Sequence, residues 1–126
     1  MFINQNNYKS IIIFKSPAVL YAVIIFIFSS LPGNDIPTLN IQFGDKIIHT
    51  LEYIILGILL YNAFRYPVPF SKPVILTLVC GILYALSDEI HQLFVPGRFC
   101  DPYDFSADAA GIIISAFLSS KLNSKK

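Results

Sequence analysis

Residues 73–94 read PVILTLVCGILYALSDEIHQLF, an apolar run that opens on Pro73 and turns polar only in its last third. A bilayer core of about 30 Å takes roughly 20 helical residues, so the stretch is long enough to cross one. Pro73 suits the first helical position, where a missing N–H costs little. Thr77, Gly81, Ala85 and Glu89 recur every four residues, the small-residue spacing that lets helix backbones approach in lipid. That stripe should face a bundle interior and carry Glu89 with it.

Working outward, the same reading gives three more spans, at about 11–31 with Pro17 as an alternative start, 47–64 and 103–120. Pro32, Pro37, Pro67, Pro69, Pro96 and Pro102 fall in the breaks, and Pro17 and Pro73 suit helix starts, so no proline is expected inside a span. Ala107, Gly111, Ser115 and Ser119 repeat the small-residue stripe on the fourth span. Composition agrees: the 126 residues are 55% hydrophobic and 13% charged, against roughly 25% charge in a soluble domain. A soluble domain this small has too much surface to hide so many apolar side chains. Disordered and collagen-like chains are excluded as well. With a net charge of +1, the basic surplus of a nucleic-acid binder is absent. Cys80 and Cys100 form no CxxC pair and read as unpaired. No A-x-A-like site follows Leu31, so the first span reads as an uncleaved anchor. The expected fold is an all-α, four-helix integral membrane bundle spanning 1–126 as a single domain.

Charge placement orients it. Lys9, Lys15, Arg65, Lys72, Lys121, Lys125 and Lys126 lie on one side of the spans, and only Lys46 and Arg98 on the other. The positive-inside rule then places both termini in the cytoplasm. All eight acids, Asp35, Asp45, Glu52, Asp88, Glu89, Asp101, Asp104 and Asp108, fall in the outer loops or outer halves of spans, leaving a formal −6 there against Lys46 and Arg98. Asp88 sits roughly 22 Å up its helix by the helical rise, and Glu52 and Asp108 come to a similar height. Asp45, His49 and Glu52 share a face, as do Asp88 with His91 and Gln92, and Asp104 with Asp108. Intramembrane ionisable groups usually face a cavity or one another, so three helices should aim polar groups into one outward-opening cleft.

The residues Phe28-Ser29-Ser30-Leu31-Pro32-Gly33, Asp45-Lys46-x-x-His49 with Glu52-Tyr53 and Gly57, and Ser87-Asp88-Glu89-Ile90-His91-Gln92-x-Phe94-x-Pro96-Gly97-Arg98 followed by Asp104 and Gly111 resemble the VanZ-like family. The resemblance covers nearly all of the chain after the first twenty or so residues. It implies a small multi-pass protein of the bacterial cytoplasmic membrane, in a family named for a member of glycopeptide-resistance gene clusters associated with teicoplanin tolerance. It carries Asp45, His49, Glu89, Gln92, Arg98 and Asp104 over as the matching polar positions. Two positions depart from the family pattern: Asp108 stands where Asn is frequent, which raises the acidity of the cleft, and Cys100 stands where small residues are common.

The candidate ligand-binding set is Asp45, His49, Glu52, Asp88, Glu89, Gln92, Arg98, Asp104 and Asp108. Glu89, buried in low dielectric, suits acid–base work or a structural hydrogen bond. His49 could be a general base oriented by Asp45 or Glu52, a metal ligand, or a core-paired histidine, so Glu89, His49 and Asp45 are the candidate catalytic residues. His91 reads as pointing its polar tip to the interface. Arg98, after Pro96-Gly97, could clamp a carboxylate or phosphate, or neutralise Glu89, Asp101 or Asp104 internally. Histidines among carboxylates meet the ligand chemistry of zinc, or through oxygens alone of calcium or magnesium, yet no H-x-x-x-H or H-E-x-x-H pair is present and no metal ligands are assigned. The leading expectation is a non-transporting protein that modulates the cell envelope's response to glycopeptide or lipoglycopeptide antibiotics, its partners being the bilayer and an antibiotic or peptidoglycan precursor. The alternative is a membrane-embedded hydrolase or transferase acting on a lipid-linked or wall intermediate, for which no nucleophile is evident: Ser87 has no triad spacing and Cys100 no clear base. An ion pathway is least favoured, because the inner halves of the spans are nearly free of ionisable residues.

Overall fold

The computed structural model describes residues 5–35, 43–66 and 72–124. They form α1 (Gln5–Ser29), α2 (Gly44–Arg65), α3 (Pro73–Gln92) and α4 (Pro102–Asn123), with a single 3₁₀ turn over Gly33–Asp35. Each helix contains a segment long and apolar enough to cross a membrane, and no strand occurs among the described residues. The protein is an all-helical chain with four membrane-spanning-capable helices.

The helix boundaries show where charges steer the backbone. α2 starts at Gly44, a turn before the expected 47, because Lys46 is satisfied within the fold by Asp45 of its own helix and by Asp101 and Asp104 across it. α3 begins on Pro73 as expected and ends at Gln92, two residues early, where tighter bonds from Leu93 N–H to Ile90 O, Phe94 N–H to His91 O and Val95 N–H to Gln92 O close the last turn. α4 opens with Pro102 behind Asp101, whose Oδ1 accepts the Tyr103 N–H at 2.9 Å as an N-cap.

Pro17 corrects an expectation: it lies inside α1, not at a helix start. In lipid the flanking backbone has no alternative to the helix, and the Ser16 hydroxyl, donating to Ile12 O at 2.5 Å, supplies a side-chain donor beside the gap the proline leaves.

The small-residue stripes face inward. Thr77, Gly81, Ala85 and Glu89 are all buried on α3, as are Gly111, Ser115 and Ser119 on α4, while Ala107 is half-buried. α2 and α4 make the most extensive contact in the bundle. Gly111 sets their separation: a Cβ there would stand 2.5 Å from Thr50 O and 3.0 Å from Ile54 N. Thr50 adds a hydroxyl bond to Ala107 O at 3.3 Å. Ile25, Tyr53, Leu56, Ala85 and Ile112 fill the core. α1 packs chiefly on α2 and leaves Val19, Leu20, Ile27 and Phe28 exposed, a lipid-facing pattern. It is tied to α3 by the Tyr84 hydroxyl, which donates to Ala22 O at 2.6 Å.

Candidate functional site

Polar groups from α2, α3 and α4 converge at one end of the bundle. At the rim, the Lys46 ammonium reaches Asp45 at 2.9 Å, Asp101 at 2.8 Å and Asp104 still more closely. Asp101 binds three elements together: Oδ2 accepts from Lys46, Oδ1 from the Tyr103 N–H, and its own N–H donates to Glu89 Oε2 at 2.9 Å. The Lys46 ammonium, followed by the Tyr103 N–H, holds the Asp101 carboxyl below the usual carboxylate range.

Deeper in, His49 Nδ1 lies 2.9 Å from Asp108 Oδ1, and His49 Nε2 stands 4.0 Å from Asp104 Oδ1. Asp108 and Glu89 are both fully buried. His49, expected to be oriented by Asp45 or Glu52, is instead paired across the helix interface. Same-face spacing brings Asp45 near, but its side chain is 61% exposed and turned to Lys46, whereas α4 closes on α2 and presents Asp108 directly. Glu89, Asp108 and His49 each offer a ligand atom, all within 4.8 Å of one another. Glu89 Oε1 and Asp108 Oδ2 have no hydrogen-bond partner among the described residues.

Beside this group a cavity of about 370 Å³ opens between the ends of α1, α2 and α3. Its polar wall includes His49, Glu52, Asp88, Gln92 and Arg98, and its apolar wall includes Ile25, Phe28 and Ile48. Gln92 Nε2 donates to Asp88 Oδ2 at 3.3 Å, the i, i+4 partnership read from the sequence. Asp88 Oδ1 remains without a partner among the described residues. A second cavity of about 270 Å³ lies at the rim between Lys46, Asp104 and Arg98, and Gln92 and Arg98 line both cavities.

Arg98 also departs from expectation. It makes no ion pair with Glu89, Asp101 or Asp104 among the described residues; its Nε and a terminal nitrogen donate to Leu31 O at 3.4 Å and Phe28 O at 3.2 Å. The final carbonyls of a helix lack intrahelical donors and attract a cation, so Arg98 caps α1 while Lys46 neutralises the rim acids. The Pro96-Gly97 turn delivers it there. Gly97 adopts φ 74°, and the Gly33 N–H donates to Pro96 O at 3.0 Å.

His91 lies outside the cleft, its Nε2 2.9 Å from the Ser30 hydroxyl and its ring 4.4 Å from that of Phe26. The exposed Ser87 hydroxyl donates to Tyr84 O of its own helix, and Cys80 and Cys100 are free and exposed. The cleft thus offers carboxylates and an imidazole for proton transfer or coordination. Sequence reasoning gave no site role to Thr50 or to Tyr53, the latter fully buried with a hydroxyl that has no partner among the described residues, and offered Asp101 only as a partner for Arg98. The Asp-Pro pair opening a helix was the available signal for Asp101.

A comparison with curated proteins gives no significant match, and neither does one with solved structures. A family model described as VanZ/LLP1 matches residues 3–123, taking in all four helices and every residue of the cleft. The chain belongs to the VanZ/LLP1 family.

Proposed function

We propose that this chain acts at the outer face of a bacterial cytoplasmic membrane, termini inside, as a protein that binds the head of an amphiphilic ligand in its acidic cleft. The cavity between α1, α2 and α3 carries the reading, because Asp88, Glu52 and His49 face Ile25, Phe28 and Ile48 across it. A cationic or hydrogen-bonding head would meet carboxylates while its apolar part stayed against the helices. Lipoglycopeptide antibiotics and amine-bearing peptidoglycan precursors have that chemistry. Binding them would alter the envelope's response to glycopeptides, in line with the family resemblance. The basic residues on the opposite side of the spans support the orientation.

The test is teicoplanin and lipoglycopeptide susceptibility in a bacterial host expressing wild-type protein or Asp88→Asn at matched membrane levels, with binding measured in nanodiscs. Protection and binding by the wild type, both reduced in the variant, are expected. Equal protection and equal binding by both proteins would refute a role for the cleft.

A second reading, a membrane hydrolase or transferase, is favoured by the pairing of half-buried His49 with buried Asp108 beside Glu89. Turnover of a labelled lipid-linked precursor by purified protein, lost in Glu89→Gln, would support it over binding alone.

A further inference from the structure

The geometry points to a divalent-metal site of the zinc class formed by His49 of α2, Glu89 of α3 and Asp108 of α4. Each helix contributes one ligand, and the three ligand atoms lie within 4.8 Å of one another. Two neighbouring ligands at about 2.1 Å on a tetrahedral metal stand about 3.4 Å apart. His49 Nδ1 and Asp108 Oδ1 are 2.9 Å apart, so a small outward shift of the two side chains opens the edge a zinc ion needs. With Nδ1 on the metal, Nε2 is left on the side of Asp104 Oδ1, 4.0 Å away and beyond hydrogen-bonding distance.

The unmatched oxygens point the same way. Glu89 and Asp108 are fully buried, and each keeps one oxygen without a hydrogen bond among the described residues. Lys46 is engaged at Asp45, Asp101 and Asp104, and Arg98 at the carbonyls of α1. Neither makes an ion pair with Glu89 or Asp108 among the described residues. Two carboxylates in a low-dielectric bundle need compensation, and a dication in the gap supplies it. One imidazole with two carboxylates favours zinc over magnesium or calcium, which select all-oxygen sets. Binding displaces the proton shared by His49 and Asp108, which leaves to solvent.

This site stands independently of the amphiphile reading, and its test uses metal alone. Purified full-length protein in nanodiscs, carrying Cys80→Ser and Cys100→Ser to remove the exposed thiols, is titrated with Zn²⁺ and dialysed for elemental analysis. One zinc per chain is expected, unchanged in Ser87→Ala and at least about tenfold weaker in His49→Gln, Glu89→Gln and Asp108→Asn at equal helical content. Co²⁺ added to the same cysteine-free protein provides a readout that needs no cleft variant: visible d–d bands of a nitrogen–oxygen ligand set are expected. Substoichiometric zinc, affinity unaltered by all three cleft substitutions, displacement by equimolar Mg²⁺, or no Co²⁺ bands would each overturn the assignment.

Discussion

Replacing Gly111 with Ala tests how packing between α2 and α4 sets the cleft. The new Cβ would lie 2.5 Å from Thr50 O and 3.0 Å from Ile54 N, both backbone atoms, where ordinary contact begins at 3.4 Å. Relieving the closer clash moves the helices apart by about 0.9 Å, and because neither neighbour can rotate away, the whole of α2 must give. His49 and Asp108 sit on these same two helices, so their 2.9 Å separation would stretch beyond hydrogen-bonding range. Overpacking of this kind costs about 1–3 kcal/mol, offset by roughly 1 kcal/mol from the better helix propensity of Ala, for a net loss of up to about 2 kcal/mol. Gly81→Ala is the comparison on the other small-residue stripe: its Cβ would meet Ile112 Cδ1 at 2.6 Å, Cγ2 at 2.8 Å and Cγ1 at 2.9 Å, a buried side chain stiff at χ1, so it should destabilise as well but without pressing on the backbone of α2. Reversible unfolding by SDS titration reads both. If Gly111→Ala proved more stable than wild type, as helix propensity alone would make it, the close backbone approach would not be setting the helix spacing.

Two further outcomes follow from the rim. Because Lys46 and the Tyr103 N–H depress the folded-state value of Asp101, its contribution is complete above the unfolded value near pH 4 and is lost as pH falls through the folded one. Asp101→Asn should therefore be less stable than wild type at pH 7, with the difference shrinking as pH falls below about 4; a gap that persists unchanged in acid would count against the Lys46 pairing. Arg98→Ala removes two charge-assisted bonds, one to Phe28 in the last turn of α1 and one to Leu31 just beyond it, and should cost about 1–2 kcal/mol, seen as faster amide exchange over the last turn of α1 with α4 unaffected. Uniform exchange along the chain would contradict the capping role.

The four helices were legible because lipid imposes one rule on every backbone group, and apolar length alone satisfies it. The stripe through Gly81, Ala85 and Glu89 correctly turned Glu89 inward, since helical periodicity fixes a face without knowledge of its neighbour. Periodicity cannot say which helix lies opposite. It therefore offered His49 the acids of its own helix, when Asp108 came from another. Arg98 escaped for a related reason: its partners are the Phe28 and Leu31 carbonyls, and main-chain acceptors leave no trace in side-chain spacing. Pro17 was misplaced because a rule learned in water keeps proline out of helix interiors and so made it a start, and lipid removes the alternative to continuing through it.

The attachment of α1 has a consequence for how the sequence can drift. Tyr84 grips the carbonyl of Ala22, Arg98 those of Phe28 and Leu31, and Pro96 the N–H of Gly33, so much of this polar docking reads main chain and not side chain. The lipid-facing positions of α1 can therefore exchange freely among apolar residues while the grip persists. The burden of fidelity falls on the distant residues that hold it, and a randomised library at Val19, Leu20, Val23 and Ile27 should yield mostly assembled protein.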